Sequence, residues 1–173
     1  CLEQKLNLFF YDADGLGAGV RGDARVINEQ NNAKGIDQIQ ADPFRGSGAV
    51  HNPELEMVEA RKNIDFFANL KAQMWWSLRM RFQNTYRALQ GMQYDPDALI
   101  SLSTEDLDKR ELEQLKRELS QPTYSKNGAG KILVNKQPDG ALSPNRADSV
   151  MICFSDIKPP ARLRPGGGGS RSF

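Results

Sequence analysis

The residues in this sequence best suited to chemistry are aspartates. Asp12 and Asp14 stand in Tyr11-Asp12-Ala13-Asp14-Gly15, at the end of the short apolar run Leu6-Asn7-Leu8-Phe9-Phe10. In open α/β sheets, ligands gather beyond the carboxyl ends of strands. A carboxylate fixed there, with glycines letting a substrate approach the backbone, is a ligand for a hard divalent cation. The same residues also read as an Asp-Gly turn after an exposed strand end. A third acid, Asp148, stands in Ser143-Pro144-Asn145-Arg146-Ala147-Asp148-Ser149, just before the apolar run Val150-Met151-Ile152-Cys153-Phe154. A carboxylate entering an apolar run cannot be buried bare. It must meet a metal ion, a cation such as Arg146, or water.

Two nucleotide-loop patterns compete for the glycines and neither is complete. Gly15-x-Gly17-x-Gly19 places its third glycine two residues after the second, where a dinucleotide fingerprint needs three. The acid expected about 20 residues later at a strand end is also missing, since Asp37 falls near the start of the next candidate strand. Gly128-Ala129-Gly130-Lys131 has Ser125 and Ile132 where a P-loop needs Gly and Ser or Thr.

Composition narrows the chemistry further. The chain has 173 residues, with Lys+Arg 23 against Asp+Glu 22, one His and two Cys. A single His, His51, excludes most zinc and Ser-His-Asp mechanisms, and its surroundings read as a loop. Cys1 and Cys153 cannot build a disulfide scaffold, which fits a reducing compartment; Cys153 is expected to be a buried small hydrophobe. No apolar run approaches the roughly 20 residues of a membrane span. The length suits one domain with a real core.

The elements that must position these acids follow from periodicity. The run ending at Asp12 reads as a strand buried on both faces. Residues 20–30 read as a helix, 36–40 as a second strand and 42–48 as a loop. Phe67, Leu70, Met74, Leu78, Phe82 and Leu89 make one apolar face, predicting a continuous helix over 63–89. A second helix is expected over 104–119, capped by Ser103 or Thr104 and stopped by Pro122. Residues 131–135 read as a strand. Ser143 is expected to cap a final helix with Pro144 at its first position. The order describes an α/β domain.

The long helix carries Trp75, Trp76, Lys71, Arg79, Arg81 and Arg87. Such a surface can track phosphates while aromatic rings stack, although adjacent tryptophans commonly serve a core. From about residue 158, Pro159-Pro160, the Gly166–Gly169 run and Lys158, Arg162, Arg164 and Arg171 read as a disordered Arg/Gly-rich tail, leaving residues 1–157 as the domain.

Three of these stretches, in this order, resemble the nuclease domain of tailed-phage terminase large subunits: Phe9-Phe10-Tyr11-Asp12-Ala13-Asp14-Gly15-Leu16-Gly17-Ala18-Gly19, Asn69-Leu70-Lys71-Ala72-Gln73-Met74-Trp75-Trp76-Ser77-Leu78-Arg79 with Arg81-Phe82, and Ser143 to Ser149. Gln121-Pro122-Thr123-Tyr124 followed by Gly130-Lys131-Ile132 fits the same order. The resemblance implies an RNase H-like mixed sheet flanked by helices. It also implies a divalent-metal-dependent endonuclease that cuts concatemeric viral DNA during genome packaging in the host cytoplasm. Asp12 and Asp148 correspond by position to the family's second and third acids, with Asp14 in reserve. Lys71, Arg79 and Arg81 would face DNA. Two Mg²⁺ or Mn²⁺ ions held by carboxylates about 4 Å apart need no histidine for phosphodiester hydrolysis. Double-stranded DNA, the portal protein and the small terminase subunit are the implied partners.

The strand bearing the family's first acid does not precede Leu6, and no motor P-loop is present. The chain, opening at Cys1, is therefore expected to be part of a longer polypeptide that lacks the first strands of the fold. Alone it is expected to cut little or no DNA; the alternative reading is a catalytically incomplete DNA- or portal-binding remnant.

Overall fold

A computed structural model describes residues 8–14 and 19–155. The glycine turn at 15–18, Cys1 and the Arg/Gly tail lie outside the described residues.

The first apolar run is strand β1 (Leu8–Asp12), and helix α1 (Val20–Ala33) crosses over to a parallel partner, β2 (Gln40–Phe44). The register pairs Leu8 with Gln40 and Asp12 with Phe44, so both strands end together. Expectation and structure differ over the second strand. Residues 36–39 do not pair, because the Asn28 side chain of α1 takes up the backbone of Ile39, receiving its N–H and donating to its carbonyl, each at 2.7 Å. The strand begins only beyond that clamp and runs through Asp42-Pro43, which composition had given to a loop. Pro43 is tolerated because, among the described residues, β1 is the only strand paired with β2, and an edge position can do without the missing N–H.

The long helix is interrupted. A single turn, α2 (Asn63–Phe66), is followed by extended residues and then by α3 (Leu70–Leu89), whose N-cap Asn69 accepts from Ala72 N–H at 2.9 Å. At the break, Phe67 forms a parallel bridge with Ile132, and Ala68 N–H donates to the Ile132 carbonyl at 2.9 Å. The apolar face enters the core only as far as Leu78. Phe82 is 38% exposed and Leu89 79%, so the outer half of α3 projects its stripe to solvent.

Helix α4 (Lys109–Ser120) starts later than expected. Residues 104–107 close a turn of their own, and the cap is Asp108, whose side chain accepts from Glu111 N–H at 2.7 Å. A hairpin follows, β3 (Thr123–Lys126) against β4 (Ile132–Asn135). Only its second strand was expected, since β3 is exposed along its length and carries no apolar alternation. Helix α5 (Asn145–Cys153) closes the described chain.

The main core packs α3 on α5 and β2, through Phe44, Met74, Trp75, Leu78, Ala147, Met151 and Ile152. A second cluster, Phe67, Ala72 and Ile132, seals the helix break against the hairpin. Among the described residues, no helix is long and apolar enough to cross a membrane.

Candidate active site

Asp12 ends β1 and Asp148 lies in the first turn of α5. Together they line one cavity of about 450 Å³, with Phe10, Tyr11, Asn145, Ser149, Ile152 and Cys153. Two acids separated by most of the chain thus line one cavity where α5 packs on β1. Asp12 is half-buried, and its Oδ1 accepts from Asp14 N–H at 3.0 Å.

Asp148 is deeply set. Its Oδ2 pairs with Lys136 Nζ at 2.5 Å, the two side chains being 10% and 18% exposed. Its Oδ1 is buried without a hydrogen-bond partner. Burial pushes the Asp148 carboxyl above the usual aspartate range, against the downward pull of Lys136, and the charge of Asp12 adds to the rise. The charge of Asp12 reaching Asp148 places the two carboxyls within electrostatic range across the shared cavity. Lys136 was missed in the sequence. It carries no motif and is legible only once the β4 exit is known to face α5.

The helix presenting Asp148 is not capped as expected. Ser143 makes no side-chain cap. Instead Glu118 reaches across from α4, its Oε2 accepting from Arg146 N–H at 2.7 Å and Ala147 N–H at 3.1 Å. A carboxylate on the first turn satisfies donors that a helix leaves open and complements its dipole. Arg146 is drawn to α4 as well, 3.7 Å from Glu118 and 3.9 Å from Glu111, so it is not the cation of Asp148.

The other candidates disperse. Asp14 is occupied: its Oδ2 accepts from Ser47 N–H at 2.8 Å and its Oδ1 from the Ser47 hydroxyl at 2.9 Å. It straps the end of β1 to the loop after β2 and does not point a free carboxylate at Asp12's cavity. Lys71 sits at this same end, its N–H donating to the Gly46 carbonyl at 2.8 Å. Arg79 is on another face, its guanidinium 4.9 Å from the Trp76 ring, in an apolar groove of about 390 Å³ that shares no lining residue with the acidic cavity. Arg81 is turned inward to the 95–99 turn, donating to the carbonyls of Asp97 and Leu99. A guanidinium so used holds the turn in place of a phosphate. Cys153 corrects its expectation: it is exposed, on the face of α5 that lines the cavity. His51 is a loop residue as expected, its backbone clamped by the Gln73 amide at 2.6 and 2.9 Å.

The donor set fits a hard divalent cation. Mg²⁺ is commonly held by one or two carboxylates, with waters and substrate phosphates completing its shell. Asp12 and the unpartnered oxygen of Asp148 meet that requirement, although no cluster of three or more metal-binding side chains exists among the described residues.

The fold presents two acids, from a strand end and from a late helix, to one cavity. Among solved structures, the nuclease domain of the large terminase subunit gp2 of bacterial virus Sf6 is similar at 31% identity, covering 91% of this chain and 68% of that chain, with a TM-score of 0.75. A mutant of that domain with manganese and beta-thujaplicinol gives the same values. A mutant with calcium matches at 32% identity, TM-score 0.73, over 89% of this chain and 67% of that one. No family model and no curated protein matches. The chain belongs to the family of terminase large-subunit nuclease domains, and its fold is RNase H-like.

Proposed function

We propose that the chain acts in viral genome packaging as a divalent-metal-dependent endonuclease on double-stranded DNA, with Asp12 and Asp148 holding Mg²⁺ or Mn²⁺. The observation that carries this reading is the shared cavity of Asp12 and Asp148, with one Asp148 oxygen buried and unpartnered. Bound there, divalent cations would activate a water and neutralise the charge developing on the leaving oxygen. The chain's own residues do the rest. Asp12 is fixed by the end of β1 and by Asp14 N–H. Asp148 is held rigid by a capped helix. Lys136 balances Asp148 while no cation is present. Lys71, at the same end of the β1–β2 pair, is a basic side chain for a backbone phosphate.

A purified sample given supercoiled plasmid and Mn²⁺ tests this. Mn²⁺ binding weakened in both Asp12→Asn and Asp148→Asn by calorimetry is the expected result, with plasmid cleavage that is slow in the chain alone and lost in both variants. Cleavage that survives both substitutions would remove these acids from the chemistry.

The absence of a third metal-binding side chain among the described residues favours a second reading, a module that binds DNA or the portal protein without cutting. Mn²⁺ binding and DNA retention without cleavage would select it.

A further inference from the structure

Two buried polar atoms lack a well-formed hydrogen bond, and they are chemically complementary: Trp75 Nε1, a donor on the core side of the apolar groove, and Asp148 Oδ1, an acceptor beside the acidic cavity. Trp75 projects from the buried face of α3 into the core shared with Ala147 and Met151, the residues flanking Asp148 on α5. Its indole N–H already acts on the Asp148 carboxyl, favouring the ionised form, although the pair falls short of a well-formed hydrogen bond. A carboxylate has about four lone-pair sites, so Oδ1 can accept from the indole and leave others of the carboxylate for a cation.

We propose that Trp75 is a positioning residue of the metal site: its indole N–H fixes the Asp148 carboxylate when a cation takes the place of Lys136. This rests on the proposed role of Asp148 as a metal ligand. It accounts for a tryptophan with a buried N–H where an all-carbon ring would fill the same core without leaving a donor unpaired. Groups that orient a ligand from behind commonly matter to metal affinity almost as much as the ligand.

The test uses the two indole N–H resonances of the ¹⁵N-labelled protein, assigned by Trp76→Phe, with Trp76 as the internal control. Mg²⁺ titration should move the Trp75 indole resonance and leave that of Trp76 in place, and Asp148→Asn should move the Trp75 signal without metal. Trp75→Phe, which keeps the ring and removes the donor, should weaken Mn²⁺ binding roughly tenfold. If wild type binds Mg²⁺, Asp148→Asn does not, and the Trp75 resonance stays fixed throughout, the positioning role is overturned while the metal site stands. If Asp148→Asn binds Mg²⁺ as wild type does, the metal-site reading fails and the Trp75 role falls with it. The resonance measurement needs no substitution at Trp75, so a poorly folded Trp75→Phe leaves the test intact.

Discussion

Lys136 Nζ stands 2.5 Å from Asp148 Oδ2, joining the exit of the β3–β4 hairpin to the helix that presents the acid. On the proposed metal site, the lysine and a metal ion would compete for the same carboxylate. Lys136→Ala should therefore destabilise the metal-free protein by about 1–3 kcal/mol, the cost of leaving a buried polar group unpaired, while tightening Mn²⁺ binding. Thermal unfolding with EDTA and with Mn²⁺ checks both directions; a substitution that weakens Mn²⁺ binding would make the lysine an ally of the ion.

The pH dependence of stability has a definite sign. The Asp148 carboxyl is raised from its ordinary value of 3.8, so the folded protein holds this proton more tightly than the unfolded chain. Its stabilising contribution is complete below about pH 4 and is lost as pH rises through the raised value. In EDTA, urea unfolding free energies should fall across that window in wild type and fall less in Asp148→Asn. Mn²⁺ affinity should climb over the same range, because the proton leaves the ligand.

Glu118 is the cap of the acid-bearing helix, and its charge matters as well as its hydrogen bonds. Glu118→Ala should cost about 1–2 kcal/mol, and Glu118→Gln roughly half of that. Urea denaturation measures the difference. Equal losses would assign the effect to the carboxylate charge alone, and an unchanged Glu118→Gln to shape and hydrogen bonding.

Gly46 is closely framed. A Cβ there would lie 3.1 Å from Lys71 Cβ and 3.3 Å from both Asp14 Oδ2 and the Phe44 ring. Phe44 is buried and cannot yield freely. Gly46→Ala should destabilise by about 1–3 kcal/mol through overpacking and loosen the Asp14–Ser47 strap. A neutral effect on the melting temperature would show that this loop gives way without cost.

Sequence periodicity found β4, α5 and the inner half of α3 because each buries a patterned face, whereas β1 and α1, which bury little beyond Ala24 and Asn31, were legible from an apolar run and from spacing. It failed where tertiary partners decide. Asn28 displaced the second strand toward Pro43 by occupying backbone that composition had assigned to pairing. Ile132 captured Phe67 and Ala68 out of a helix whose apolar spacing ran on unbroken. Strand β3 has no buried face, so nothing in its pattern announces it. For the site, Asp12 and Asp148 were readable because a carboxylate at a strand end, or before an apolar run, demands an explanation. Lys136 and Glu118 were not, since a lysine after a strand and a glutamate on a charged helix look like ordinary solvated side chains.

The three residues between α2 and α3 have a consequence out of proportion to their number. Had the chain stayed coiled from 63 to 89, the amide of Ala68 would have been spent inside the helix. The edge of β4 would then have had nothing to grip, and its final residues would be free to wander. The interruption nails the hairpin to the long helix, and so the register of one backbone hydrogen bond at Ile132 governs where, four residues on, an ammonium group meets its acid.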